Sequence, residues 1–280
     1  MKNRRSFIKD SALGLIVAGI PLMGFSRRKY IADPYQENTP KNYPNIDPEL
    51  VKEVVGVSHF NLVRLKELVD KRPELAKATW EWRFGDFESA IGAASHVGNR
   101  EIVNYLLSKG AKPTLFTFAM MGAYDVVKSA IEYSPGIQRH TGPHGISLLS
   151  HAMAGNRMKD QMDAKGQDDL KRLQDYLISL GDADGQKYGE VTPEEQKKYL
   201  GDYKYGEGDR DGFTVSLSMR KGLSLGPIND FGGEIYKIGE HRFTYNGVPS
   251  VTIVFEVENE VVKSLTVNDP DFTIKAFKVS

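Results

Sequence analysis

The chain has 280 residues with 37 basic and 37 acidic side chains, so its formal net charge is zero, and it contains no cysteine. The charge balance argues against nucleic-acid binding, which needs a strongly basic domain. The absence of cysteine excludes disulfides, thiol catalysis, thiolate metal sites and a lipid anchor on an N-terminal cysteine.

Near the N-terminus, Arg4-Arg5-Ser6-Phe7-Ile8-Lys9 precedes an uncharged run from Ser11 to Phe25. A basic start followed by an apolar stretch of this length reads as a secretory signal over residues 1–26. The paired arginines resemble a twin-arginine export signal, which implies a periplasmic or otherwise exported protein. The run is shorter than the roughly 20 residues that span a bilayer, and an uncleaved membrane tether is the alternative. Residues 27–49 hold Pro34, Pro40, Pro44 and Pro48 among polar side chains and are expected to form an extended linker.

From about residue 50 the periodicity is helical. Val63, Leu65, Leu68 and Val69 are expected on one helical face before Arg72-Pro73. The clearest pattern follows at residues 89–113. A small-residue helix through Ala90, Ala93 and Ala94 ends at Gly98. A second helix carries Ile102, Val103, Leu106 and Leu107 on one stripe and ends at Gly110, with Pro113 beyond. The stripe returns 24 residues later as Val126, Val127, Ala130 and Ile131. The glycine returns 33 residues later, from Gly122 to Gly155. A further opening, Gly145-Ile146-Ser147-Leu148-Leu149-Ser150-His151-Ala152, leads through a polar insertion (157–169) to a helix with Leu173, Leu177 and Ile178 before Gly181. Helix pairs this short need stacked neighbours to bury their apolar faces. These units resemble ankyrin repeats, about four of them over residues 50–184. The first is atypical, with Phe60 where Gly98 stands in the second.

Residues 185–198 read as a polar joint in which Thr192-Pro193-Glu194-Glu195 starts a short helix. The period then becomes two. Residues 213–219, 251–257 and 272–279 alternate as strands, separated by Gly, Asn and Asp clusters at 206–212, 229–233, 246–247 and 268–271. Seven or eight short strands over 199–280 predict a small antiparallel barrel or sandwich. The expected fold class is therefore α+β, a helical repeat stack followed by a β-domain. The run Tyr199-Leu200-Gly201-Asp202-Tyr203 with its spaced strands resembles a β-domain appended to bacterial serine-hydrolase-like proteins. That resemblance implies an accessory module without catalytic residues.

No nucleophile elbow, phosphate-cradling glycine loop or nucleophile with a positioned base is recognisable. The expectation is a non-catalytic protein without a cofactor. Three of the six histidines, His140, His144 and His151, fall within 12 residues. A metal or pH-sensitive loop is one reading of them; a polar loop with His151 partly packed is the other. Asp182-Ala183-Asp184-Gly185 and Asp209-Arg210-Asp211-Gly212 lack the acidic positions of a calcium loop and read as turns. Both tryptophans lie in Trp80-Glu81-Trp82-Arg83-Phe84, in the connection between the first two units. Trp and Arg are enriched in binding hot spots. This loop is expected either to bind a partner or to fold back on the stack or the β-domain. Ankyrin-like stacks bind through loop tips and inner helices. The resemblance thus implies a protein partner met by Trp80, Trp82, Arg83, Phe84, His96, Thr117, His140 and His144, with His151 nearby. The alternative is a small-molecule or envelope-polymer binder in which the aromatic β-domain, with Tyr203, Tyr205, Phe213, Tyr236, Phe243 and Tyr245, holds the ligand and the repeats act as scaffold.

Overall fold

The computed structural model describes residues 41–279. The expected export signal and most of the expected linker lie outside the described residues. Contacts divide the chain at Pro44, and the architecture below is that of the unit Asn45–Ser280.

Helix α1 (Pro48–Val57) starts inside the expected linker. Asp47 caps it by accepting from the Glu49 N–H, and proline occupies its first turn. Helix α2 (Leu62–Lys71) is capped by Asn61 and buries Leu65 and Val69. Val63 does not share their face and is 72% exposed. Residues two apart on a helix point to nearly opposite sides, so Val63 and Leu65 cannot line one stripe.

The tryptophan connection is a β-hairpin. Strand β1 (Thr79–Glu81) pairs antiparallel with β2 (Phe87–Ser89), in a register that sets Trp80 opposite Glu88. Ser89 then caps α3 (Ala90–His96), a helix whose first six residues are all buried. Asn99 caps α4 (Arg100–Ser108), where Ile102, Val103 and Leu106 are buried as the stripe predicts. The next pair is α5 (Leu115–Met121), entered through a Thr114/Thr117 capping box, and α6 (Tyr124–Tyr133). The last is α7 (Leu148–Ala154) and α8 (Ala164–Leu180), ended by Gly181 at φ 76°. The polar insertion is shorter than expected, because its second half belongs to α8. Val126 and Ile178 face outward, while Val127, Ile131, Leu173 and Leu177 are buried. One hydrophobic cluster joins α1 to α4 and reaches Met120 of α5. A second joins α5 to α8.

Thr192 caps α9 (Pro193–Tyr199), the short helix expected in the joint. Eight strands follow: β3 (Gly201–Lys204), β4 (Gly212–Leu217), β5 (Leu223–Pro227), β6 (Gly233–Gly239), β7 (Arg242–Tyr245), β8 (Val248–Glu258), β9 (Val261–Asn268) and β10 (Thr273–Lys278). Every pairing is antiparallel, and β10 closes on β3. The β-domain is thus a closed barrel and not a sandwich, and closure leaves no unpaired sheet edge. Alternation sets the inside: Val251, Ile253 and Phe255 are buried, while Val254 and Glu256 at the alternate positions are exposed. Tyr199, Tyr203, Phe243 and Phe255 fill the interior, with ring centroids 4.6 to 5.9 Å apart. The barrel interior is a packed core to which α9 supplies Tyr199; Tyr203, Phe243 and Tyr245 are buried in it, whereas Tyr205 is exposed.

Candidate metal centre

Four side chains from four separate segments converge beneath a cleft between the helical part and the barrel. His59 follows α1, Glu88 lies on β2, His96 ends α3, and His144 sits in the turn Pro143–Gly145. Each contributes one donor atom, and these atoms lie within 4.8 Å of one another. It is the one such group of metal-capable side chains among the described residues.

Alternation along β2 drives Glu88 inward, while Phe87 is 65% exposed. The Glu88 carboxylate is fully buried. Its Oε2 accepts from Trp82 Nε1–H at 2.8 Å. Its Oε1 faces His96 Nε2 at 3.0 Å and His144 Nε2 at 3.3 Å, yet neither approach has hydrogen-bond alignment. His59 Nε2 lies 3.6 Å from Oε2 and 3.0 Å from His96 Nε2. All three imidazoles therefore turn Nε2 toward one point.

The far nitrogens explain two of these orientations. His59 Nδ1–H donates to Gly56 O at 2.9 Å. His144 Nδ1–H donates to Asp86 Oδ2 at 2.7 Å, and the His144 backbone N–H donates to Oδ1 of the same carboxylate at 2.9 Å. A ring held through Nδ1 presents the Nε2 lone pair to its other side, the usual setting of a ligating histidine. His96 Nδ1 is buried without a partner. His144 pays for its position with φ of 59°. Next to it, Gly145 and Gly247 touch: a Cβ on Gly145 would stand 2.8 Å from Gly247 Cα. The barrel turn thereby reaches the helical part, and Asn246 Nδ2–H donates to Asp86 Oδ2 at 2.6 Å.

Burial pushes the Glu88 carboxyl up, but the close imidazoles of His144 and His96 reverse this and hold it well below the usual carboxylate range. Burial pushes His144 down, and Asp86 and Glu88 more than offset this, raising it to about 10. Burial keeps His96 below the usual imidazole value despite Glu88.

The donor set suits a borderline transition ion such as zinc, which takes imidazole nitrogen and carboxylate oxygen at about 2.0–2.2 Å. Donors around a tetrahedral ion at that range stand about 3.3 Å apart. The closest separations, 3.0 to 3.6 Å measured to one or the other Glu88 oxygen, bracket that value, and the four donors as a set lie within 4.8 Å of one another. A calcium-type ion, which wants six or more oxygens, does not fit.

The cleft above has a volume of about 1080 Å³ and is lined by the helical part and the barrel, with His59, His96 and His144 among its residues. It lies outside the packed barrel interior.

Of the residues expected to bind, only His96 and His144 meet in this centre. Trp82 supports it through Glu88. Trp80 is half-buried against the helical core. Arg83 pairs with Asp230 at 2.6 Å, and Phe84 meets the Tyr245 ring edge-on at 4.7 Å. The tryptophan hairpin thus docks on the β-domain, the second of the two outcomes expected for it. Thr117 is 1% exposed, and its hydroxyl serves the α5 cap and Ser95, so it presents nothing to a partner. His140 is exposed outside the cluster. His151 is wholly buried and donates to Ser147 O at 2.8 Å. Glu88, His59, Asp86 and Asn246 were not anticipated from sequence. One signal was present: Glu88 directly precedes Ser89, the cap of a helix made of small buried residues, where a carboxylate needs a buried partner.

The sequence matches no protein-family model and no curated protein.

Proposed function

We propose that the chain is a non-catalytic, transition-metal-binding protein, with the ion held by His59 Nε2, His96 Nε2, His144 Nε2 and the Glu88 carboxylate at the floor of the interdomain cleft. The carrying observation is the fully buried Glu88 carboxylate, one oxygen of which lacks an aligned donor while facing the imidazoles. A buried anionic oxygen left this way is costly unless a cation completes it. The helical part, read as an ankyrin-like stack, is the scaffold that brings Glu88 and His96 together. The barrel locks the outer carboxylate, Asp86. Export to the periplasm belongs to this proposal and rests on the N-terminal sequence.

Metal analysis of purified, chelator-treated and zinc-reloaded protein tests the reading. One ion per chain is expected in the wild type, with loss in Glu88→Gln and in His96→Ala. Failure of the folded wild type to retain zinc would overturn it. A protein-partner role ranks second, because Trp82, Arg83 and Phe84 are largely spent on contacts within the chain.

A further inference from the structure

The four donors do not surround the ion position evenly. Glu88 is fully buried and lies behind it, whereas the side chains of His59, His96 and His144 are 20%, 7% and 22% exposed and line the cleft floor. Four protein ligands complete a tetrahedral shell, so a further ligand enters by expansion to five-coordination and only from a side that the protein leaves uncovered. Here the free side faces a cleft at the upper end of the size range of small-molecule sites.

The cleft walls are mostly apolar, and several side chains on them have no burial of their own. Phe231 and Met219 on the barrel side are 92% and 101% exposed; Phe60 and Met153 on the helical side are 61% and 46% exposed. Large apolar groups gathered around one cleft signal an apolar occupant. Cations on these walls are modest in supply. Arg157 donates to Val97 O and lies over the Phe60 ring, Arg220 stands 4.0 Å from Glu234, and Arg83 pairs with Asp230, which leaves Lys52 as the lining cation with neither a side-chain hydrogen bond nor an ion pair among the described residues. A phosphate dianion would ask for more unspent cations than a single carboxylate, which the ion itself can satisfy.

We propose that the ion expands to a fifth coordination position on its cleft side, and that this position takes the carboxylate of a small ligand whose apolar body lies against Phe231 and Met219. This inference rests on the metal-binding reading above. Binding forms a metal–oxygen contact and displaces solvent, with no covalent or redox step.

The test uses the full chain loaded with Co²⁺, whose visible absorption reports coordination. Acetate, hexanoate and inorganic phosphate are titrated separately. A saturable spectral change is expected with hexanoate at about tenfold or more lower concentration than with acetate, since each buried methylene adds affinity. The double variant Phe231→Ser/Met219→Ser should bind Co²⁺ equally and lose the preference for hexanoate. Both side chains are exposed, so the variant is not expected to unfold, and its Co²⁺ content serves as the check. Co²⁺ uptake with a spectrum indifferent to every anion would show a closed site and overturn this inference alone. Tighter binding of phosphate than of hexanoate would overturn the carboxylate assignment. Failure to take up Co²⁺ would remove the metal-binding reading, and this inference with it.

Discussion

Asn246 donates to Asp86 Oδ2 at 2.6 Å across 160 residues of sequence, and the same oxygen accepts from His144 Nδ1 at 2.7 Å. A barrel turn therefore holds the carboxylate that orients a histidine of the candidate centre. Asp86 is 6% exposed and Asn246 equally so, which leaves solvent little chance to substitute for either partner.

Replacing Asn246 with alanine should destabilise the chain by about 1–3 kcal/mol, the usual cost of leaving a buried charged group short of a donor. Zinc affinity should fall by about 10- to 100-fold, because outer partners set the orientation of ligating rings. Paired urea unfolding and competitive zinc titration check this. Unchanged affinity in a destabilised variant would show that His144 needs only its own contacts with Asp86.

Trp82→Phe keeps an aromatic ring and removes the donor to Glu88 Oε2. The variant should lose about 1–3 kcal/mol of stability in the metal-free form. Reloading with zinc should recover part of that loss, since an ion relieves the unpaired carboxylate. Thermal melts with and without zinc measure the two effects. An equal deficit in both states would place the role of Trp82 in packing alone.

His151 offers a pH effect set mainly by its own burial, with smaller opposing contributions from His96 and Glu88 of the candidate centre. It is fully buried beside the Phe116 ring, its Nε2 has no partner, and burial holds it at about 4. The unfolded value is near 6.5. Below that value the unfolded chain binds a proton that the folded chain refuses, so stability falls as pH drops from about 6.5 to about 4. The size is about 2–3 kcal/mol, at 1.36 kcal/mol per unit. His151→Asn keeps a donor for Ser147 O and removes the titration. The stability difference between wild type and variant, followed by urea unfolding across this range, should shift in the variant's favour as the solution becomes more acidic. A difference independent of pH would sink the assignment.

Local order is legible where neighbours in sequence are neighbours in space. The stripe at Ile102, Val103 and Leu106, the helix start at Thr192, and the alternation through Val251, Ile253 and Phe255 are all read directly, because helix and strand periods place side chains by counting. Val63 fails by the same rule, since its spacing from Leu65 is not helical. Thr117 reads as a surface group until the packing of α3 against α5 encloses it with Ser95. Choosing a closed barrel over a sandwich depends on β10 meeting β3, a pairing between the two ends of the domain.

The candidate centre shows the division most clearly. The sequence alone determines its chemistry: imidazoles, carboxylates and no thiolate. It also predicts the helix of small residues at Ala90, Ala93 and Ala94, which follows Glu88 directly. Only the tertiary structure decides that residues 59, 88, 96 and 144 share one point, and that residue 246 arrives behind them from another domain. Their separations match no local repeat. They are set by helix stacking, by the hairpin and by the docking of the barrel, and a coordination shell depends on distances in space that sequence spacing does not carry.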